Sequence, residues 1–343
     1  MRVRYCALVF LKGLAAFLVA ASFWEVIDRN FVFATTISGY RPNFGHFPAS
    51  GRAVNSEEGY SSTWYDAEGF REGRPIPAPA NRILILGDSY TNAMQVATAD
   101  NYCSVLQRMF GASGKDVWVI NGGVSGSSPA RYVNDAPWYL SNLHPQQVVV
   151  QLDQLHFVMD LPVQHGDFFL RPTRNGFVIR SEEERHQVQD QLKHFGLGRF
   201  ILDQSLVRTA MLRLGFRDEQ LTFASEKQLS VQGVDYAPYV DWVVHNLKKA
   251  FGNPLIVYIP TIDYFNLEKP PHNVESELAA ECAHEGLSFI NMRQSFLQSF
   301  ACNKAPCHGF VNTAPGVGHI NAIGHALVAK EIYKALVRRG TVR

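Results

Sequence analysis

The sequence lacks a strong charge of either sign. Its 343 residues carry 32 Lys and Arg against 31 Asp and Glu, which gives a formal net charge of +1. No basic patch of the kind that binds nucleic acid is present, and there is no acidic tail. We therefore predict no nucleic-acid partner.

Cysteine is scarce, with five in the chain, and their spacing suggests no zinc site. Cys103 and Cys282 fall in predicted helices, where buried thiols are common. Cys302 and Cys307 flank a short loop, and in an exported protein this pair can close a small disulfide loop. We predict no metal ion and no cofactor.

The chain also lacks internal repeats and low-complexity tracts. Hydrophobic residues make up 46% of it and charged residues 18%, the composition of a globular protein with ample material for a core. Its length suits one large α/β domain with an insertion, or two small domains.

The N-terminus begins with a positively charged segment. Arg2 and Arg4 precede a largely apolar stretch from Tyr5 to Ile27, which approaches the length of a bilayer span. We predict that residues 1–30 form a single-pass anchor in the inner membrane, with the rest of the chain on the periplasmic side. The alternative is a cleaved signal peptide, because residues 20–22 are small, and export would then be periplasmic or secreted.

Residues 81–91, NRILILGDSYT, predict a buried strand, a tight turn and the start of a helix. The apolar run from Ile83 to Leu86 is typical of a strand covered on both faces of a parallel sheet. Gly87 permits a sharp turn, and Ser89 lies at the carboxyl end of the strand, where α/β sheets bind ligands. On its own, Asp88–Ser89 is also an ordinary turn or helix cap.

Further apolar runs predict four more strands and a last helix. The strands are expected at Val117–Ile120, Val148–Leu152, Pro254–Ile259 and Leu287–Ile290, and the helix at Ile323–Arg338. This alternation predicts a three-layer α/β/α sandwich with a mainly parallel five-stranded sheet of flavodoxin-like type. We place the domain at residues 81–342, after a surface-wrapping lead-in at 31–80. An insertion at about 161–250 is expected to contain a loop or hairpin, and helices near 182–195 and 206–214.

Three motifs then occur in a characteristic order. They are the GDS of Gly87 to Ser89, the glycine loop NGGVSGSS at 121–128, and GVGHINAIGH at 316–325. Together they resemble the SGNH (GDSL-type) hydrolase family over roughly residues 65–340, apart from the insertion. GFR at 69–71 followed by RILILGDSYT is similar to the membrane-anchored or secreted bacterial branch that acts on sugar esters.

The resemblance implies roles for five residues. Ser89 is the expected nucleophile and His319 the base that takes its proton. The N–H groups of Ser89 and Gly126 are the expected oxyanion donors. His325, together with Asn321, is expected to be structural.

Two family positions depart from the pattern. The family places an Asn-Asp pair about ten residues after a proline like Pro145, and its Asn is a third oxyanion donor. Here Leu155 and His156 occupy those positions, so Gln154 is the expected substitute if the loop shifts by one residue. We expect His156 to be structural.

The second departure concerns the acid of the triad. The family usually has Asp three residues before the base, where this chain has Gly316. A backbone carbonyl is then expected to orient His319, which makes a Ser89–His319 dyad. A charge-stabilising carboxylate would be missing from such a site.

These expectations predict an exported serine esterase or acyltransferase of SGNH type, acting on acyl groups, chiefly O-acetyl groups, of cell-envelope carbohydrate. Its partners would be an acylated carbohydrate or small ester, the membrane through the N-terminal segment, and envelope-glycan assembly proteins. The alternatives are a lipase or thioesterase on the same fold, or a catalytically degenerate glycan-binding or assembly module.

Overall fold

The computed structural model describes residues 2–27, 52–55, 58–66, 69–71, 81–159, 168–174, 176–181 and 235–340. The strands are β1 Arg52–Asn55, β2 Ser61–Trp64, β3 Asn81–Gly87, β4 Val117–Gly123, β5 Gln147–Leu152, β6 Phe168–Thr173, β7 Gly176–Ser181, β8 Leu255–Tyr258 and β9 Ser288–Asn291. The helices are α1 Arg2–Ile27, α2 Ser89–Asn92, α3 Tyr102–Ala112, α4 Pro129–Leu143, α5 Gln154–Met159, α6 Ala237–Phe251, α7 Asn273–His284, α8 Arg293–Asn303 and α9 Ala322–Arg338.

The central sheet has five parallel strands in the order β4-β3-β5-β8-β9. The predicted three-layer fold and its five strands are therefore confirmed. After β3 the chain adds β4 on one side and then β5 on the other side of β3, so the direction in which strands are added reverses at β3. Such a reversal leaves a crevice beyond the carboxyl ends of the strands, and Ser89 follows β3 at that place.

Side chains alternate between the two faces of the sheet, as the period of a strand requires. Ile83 and Ile85 pack on one face with apolar residues of α3, α8 and α9. Leu84 and Leu86 pack on the other with residues of α4, α6 and α7. Both faces of β3 are therefore covered by apolar side chains, which explains its unbroken apolar run. The packed strand also gives a rigid support to the residues that follow it.

The lead-in is more than a surface wrapping, and that prediction is wrong. Strands β1 and β2 form an antiparallel hairpin, and Val54, Tyr65, Phe70 and Arg71 are all buried. Arg71 also makes an antiparallel bridge to Asn121 of β4. The lead-in thus packs against the core beside the carboxyl ends of the strands.

Parts of the predicted insertion and N-terminus can be compared with the structure. The hairpin is confirmed as β6 paired with β7, whereas the helices predicted near 182–195 and 206–214 lie outside the described residues. At the N-terminus α1 spans 26 residues. Among the helices that the structure describes, none combines the length and apolar character needed to cross a membrane.

The predicted disulfide loop is wrong, because Cys302 and Cys307 are both free thiols. Cys302 lies near the end of α8 and is exposed, while Cys307 is buried in the loop that follows. The backbone N–H of Cys307 donates to the hydroxyl of Tyr264 at 3.2 Å. Five residues of sequence separation permitted a bridge, but the fold places the two thiols in different environments.

Candidate active site

The turn after β3 presents Ser89 at the start of α2. The side chain of Asp88 caps this short helix by accepting from the N–H of Tyr90 at 2.9 Å. A side chain at Gly87 would overlap the hydroxyl of Thr91 and the amide of Gln151, so only glycine allows the strand to pass this close. The same Gln151 oxygen accepts from the N–H of Asp88 at 3.2 Å. The turn is thus fixed by the Asp88 cap, by close packing against Thr91 and by the hydrogen bond from Asp88 to Gln151.

His319 lies in the loop before α9, directly beside the predicted nucleophile. Its Nε2 is 2.8 Å from Ser89 Oγ, a hydrogen-bond distance across 230 residues of sequence. The imidazole is largely enclosed, with 17% of its side chain exposed. The ring of Tyr90 packs at 5.4 Å between centroids. The structure therefore brings together the two residues that the sequence predicts as nucleophile and base.

A carboxylate faces the other side of the imidazole, and the prediction of a bare Ser89–His319 dyad is wrong. Nδ1 of His319 bonds to Oε2 of Glu58, and the backbone N–H of His319 donates to Oε1 of the same residue at 2.8 Å. The partner of Nδ1 that the structure shows is thus a carboxylate, where the sequence predicts a backbone carbonyl. The lead-in supplies this group, which sequence reasoning missed.

The neighbouring histidines are held neutral and buried. Burial, with His319 and Arg293 nearby, lowers the pKa of His308 to about 3. Burial, with Arg71 and His319 nearby, lowers the pKa of His325 to about 3 as well. Nδ1 of His325 accepts from the backbone N–H of Tyr102 at 3.3 Å. Neither ring can carry a positive charge at neutral pH, so His319 faces no competing imidazolium.

Asn321 caps the helix that follows His319. Its side-chain oxygen accepts from the N–H groups of Ile323 and Gly324, and its amide donates to the carbonyl of Pro306 at 2.8 Å. These bonds fasten the start of α9 to the loop that precedes His319. The structure thus places Asn321 and His325 in packing positions, as the resemblance implies.

The expected oxyanion donors lie on adjacent loops. Gly126 follows β4, and the N–H of Val124 in the same loop donates to the carbonyl of Gly87 at 3.0 Å. Within the described residues, the N–H groups of Ser89 and Gly126 have no acceptor, so both are available to a ligand. Gln154 begins α5 after the neighbouring strand β5, and its role as a third donor stays a prediction.

Asp88, Asp153 and His156 form a buried cluster behind the nucleophile, with ligand atoms within 4.8 Å of one another. Burial and the nearby Asp153 raise the pKa of Asp88 well above its usual range. Burial also opposes ionisation of Asp153, but its bonds to His156 outweigh that effect and lower its pKa. Within the cluster, Asp153 is therefore more readily ionised than Asp88.

Both ring nitrogens of His156 are already engaged. Nδ1 lies 2.9 Å from Oδ1 of Asp153, and Nε2 lies 2.9 Å from the hydroxyl of Tyr132. A metal ion would have to displace one of these partners. The geometry instead fits the structural role that the sequence predicts for His156, because these bonds fix the loop between β5 and α5.

Gly126 should matter through its backbone. Its φ is +75°, a conformation that costs other residues about 1 kcal/mol or more, and Gly126→Ala should therefore turn the donor N–H away from the oxyanion. We expect a larger loss of kcat than for Gly122→Ala. In β4, a methyl group at Gly122 would lie 3.0 Å from the carbonyl oxygen of Ile85, which mainly costs stability. Steady-state kinetics with thermal melts separate the two effects, and equal losses of kcat would mean that another glycine is the donor.

Comparisons with known proteins find distant structural likenesses only. No family model and no curated protein matches the chain. The crystal structure of TesA is similar at 13% identity, with a TM-score of 0.40, over 74% of this chain and 97% of that one. A catalytic mutant of Axe2, an acetylxylan esterase from Geobacillus stearothermophilus, is similar at 11% identity and a TM-score of 0.42, over 76% and 95%. A member of the lipolytic protein G-D-S-L family from Veillonella parvula is similar at 13% identity and 0.38, over 75% and 98%.

Proposed function

We propose that the protein is a serine esterase or acyltransferase of SGNH type that forms an acyl-enzyme on Ser89. The observation that carries the proposal is the 2.8 Å contact between Ser89 Oγ and His319 Nε2, located beyond β3 at the reversal of strand order. A serine hydroxyl is a weak nucleophile until a base takes its proton, and this geometry supplies the base.

The proposed reaction has two halves. As Ser89 Oγ attacks the ester carbonyl carbon, its proton passes to His319 Nε2, and the N–H groups of Ser89 and Gly126 stabilise the oxyanion. The C–O bond to the alcohol then breaks, and the leaving oxygen takes the proton from His319. Water or a sugar hydroxyl next gives its proton to His319 and attacks the acyl carbon, the bond between that carbon and Ser89 Oγ breaks, and His319 returns the proton to Ser89 Oγ.

The proposed substrate is an acyl ester, chiefly an O-acetyl group, on cell-envelope carbohydrate. This class rests on the sequence, in which GFR at 69–71 precedes the strand and the GDS turn. A lipase or thioesterase is the second candidate, because Phe265 and Val317 are exposed beside the His319 loop, at 81% and 61%. An inactive glycan-binding module is less well supported, because Ser89 and His319 retain the contact that catalysis needs.

A fluorophosphonate probe and a panel of esters test this proposal. We expect the probe to label the protein and labelling to disappear in Ser89→Ala. Acetylated oligosaccharides should be turned over faster than p-nitrophenyl esters of long acyl chains. The reverse preference would favour the lipase or thioesterase. Unchanged labelling of Ser89→Ala would contradict an acyl-enzyme on this residue.

Export is part of the proposal. Its support is the pair Arg2 and Arg4 before an apolar helix, in which Phe10, Phe17 and Phe23 are each more than half exposed. Alkaline phosphatase fused to the C-terminus should be active, since it folds only outside the cytoplasm, and a cytoplasmic reporter at the same place should be inactive. The opposite pattern would contradict export, and the mass of the mature N-terminus would distinguish an anchor from a cleaved signal peptide.

A further inference from the structure

Glu58 reaches the proposed active site from the turn between β1 and β2. It is 4% exposed and lies 261 residues before His319 in sequence. One carboxylate oxygen accepts from the backbone N–H of His319, and the other bonds to Nδ1 of its ring. A single carboxylate thus fixes both the loop and the imidazole of the same residue.

The family's usual position for the acid could not serve this purpose here. Gly316 has a φ of +89°, in the region that favours glycine. A Cβ at Gly316 would point 3.3 Å from the ring of Phe265 and 3.6 Å from that of Tyr264. An aspartate there would be strained by the positive φ, and its side chain would start against aromatic carbon.

The turn that carries Glu58 is bound to the loop that carries His319. Asn312 clasps Gly59, because its side-chain oxygen accepts from the Gly59 N–H at 2.9 Å and its amide donates to the Gly59 carbonyl at 3.0 Å. The amide of Asn55 donates to the carbonyl of Glu58 at 2.7 Å. A side chain at Gly318 would overlap the Glu58 carboxylate. The two segments therefore fit each other as one unit.

We propose that Glu58 is the positioning residue for His319 and completes a triad whose acid comes from the lead-in hairpin. By accepting Nδ1–H, Glu58 would leave the lone pair of Nε2 free to take the proton of Ser89 Oγ. Its negative charge would then stabilise the imidazolium that forms. This assignment rests on the proposed esterase function and makes the β1–β2 turn part of the catalytic unit.

Glu58→Gln tests the assignment with little change of shape. The amide oxygen can still accept from the backbone N–H of His319, but the amide nitrogen donates where Oε2 accepted. Nδ1 must then accept, Nε2 carries the proton, and Ser89 loses its base. In another serine hydrolase the equivalent change lowers kcat by about ten-thousandfold. We expect a loss of about a thousandfold or more in kcat, little change in KM, and a melting temperature close to that of the native protein.

Two further variants separate positioning from mere structural support. Asn312→Ala removes both bonds to Gly59 but leaves the carboxylate, so it should lower the melting temperature and reduce kcat far less than Glu58→Gln. Glu58→Ala should regain turnover when formate is added, because formate can occupy the vacated carboxylate position. Gly316→Asp introduced into Glu58→Ala should not restore activity.

The results distinguish this proposal from the proposed function. If Ser89→Ala is inactive but Glu58→Gln keeps kcat within a few-fold of the native value, the positioning role is overturned and the esterase stands. Loss of kcat in Glu58→Gln with a fall in melting temperature as large as that of Asn312→Ala, and no rescue of Glu58→Ala by formate, would also overturn it. If Ser89→Ala hydrolyses esters normally, both proposals fail.

Discussion

Replacement of Ser89 or His319 by alanine should lower ester turnover by about a thousandfold or more. The physical reason is the 2.8 Å contact between Ser89 Oγ and His319 Nε2. Ser89→Ala removes the atom that would form the acyl-enzyme, while His319→Ala leaves a hydroxyl that no base deprotonates. Single-turnover kinetics on a short acyl ester measure the chemical step directly. His284→Ala is the matched control, because that side chain is 78% exposed.

The double variant shows whether the two residues act as one unit. Groups that share one step give strongly non-additive losses, so Ser89→Ala combined with His319→Ala should be barely slower than either single variant. Additive losses would mean that the residues act independently. If His319→Ala kept near-native turnover while Ser89→Ala abolished it, the base would lie elsewhere. His156 would then be tested first, although its nitrogens are engaged by Asp153 and Tyr132.

The sequence predicts the sheet well because burial on both faces leaves a local signal. Each predicted strand is an apolar run, and all five runs are strands of one parallel sheet. Ser89 and His319 are also predictable, because the residues beside them in sequence form turns and helix caps that require particular residue types. Gly87 avoids overlap with Thr91, and Asn321 caps α9.

Glu58 leaves no comparable signal. It lies in a polar, glycine-containing stretch of the lead-in, a pattern that indicates a solvent-exposed loop. Its partner, His319, is 261 residues away in sequence. The glycine at position 316 indicates only that the usual acid is missing. Tertiary contacts alone determine which carboxylate replaces it. The burial of Arg71 was missed for the same reason, since an isolated arginine in such a stretch predicts a solvent-exposed side chain.

Arg71→Met should have the largest effect on stability. Arg71 is 2% exposed, and its guanidinium donates to three backbone carbonyls at and just after the end of α2. Its partners are the carbonyls of Asn92 at 2.6 Å, of Ala93, and of Val96 at 2.7 Å. Methionine fills much of the same volume but donates nothing. A buried acceptor that loses its donor costs about 1–3 kcal/mol, so we expect a loss of about 3 kcal/mol or more in the free energy of unfolding.

Denaturant unfolding of Arg71→Met, compared with a Met substitution at the exposed Arg171 of β6, measures this cost. The control removes the same charge from an exposed side chain, so its free energy of unfolding should change by less than about 0.5 kcal/mol. A loss below about 1 kcal/mol in Arg71→Met would show that water or a rearranged backbone replaces the three bonds. Turnover should fall together with stability, because Ala93 holds a left-handed φ of 56° at the end of the helix that Ser89 begins. Release of that carbonyl frees the turn, and Ser89 Oγ would then no longer be held within reach of His319.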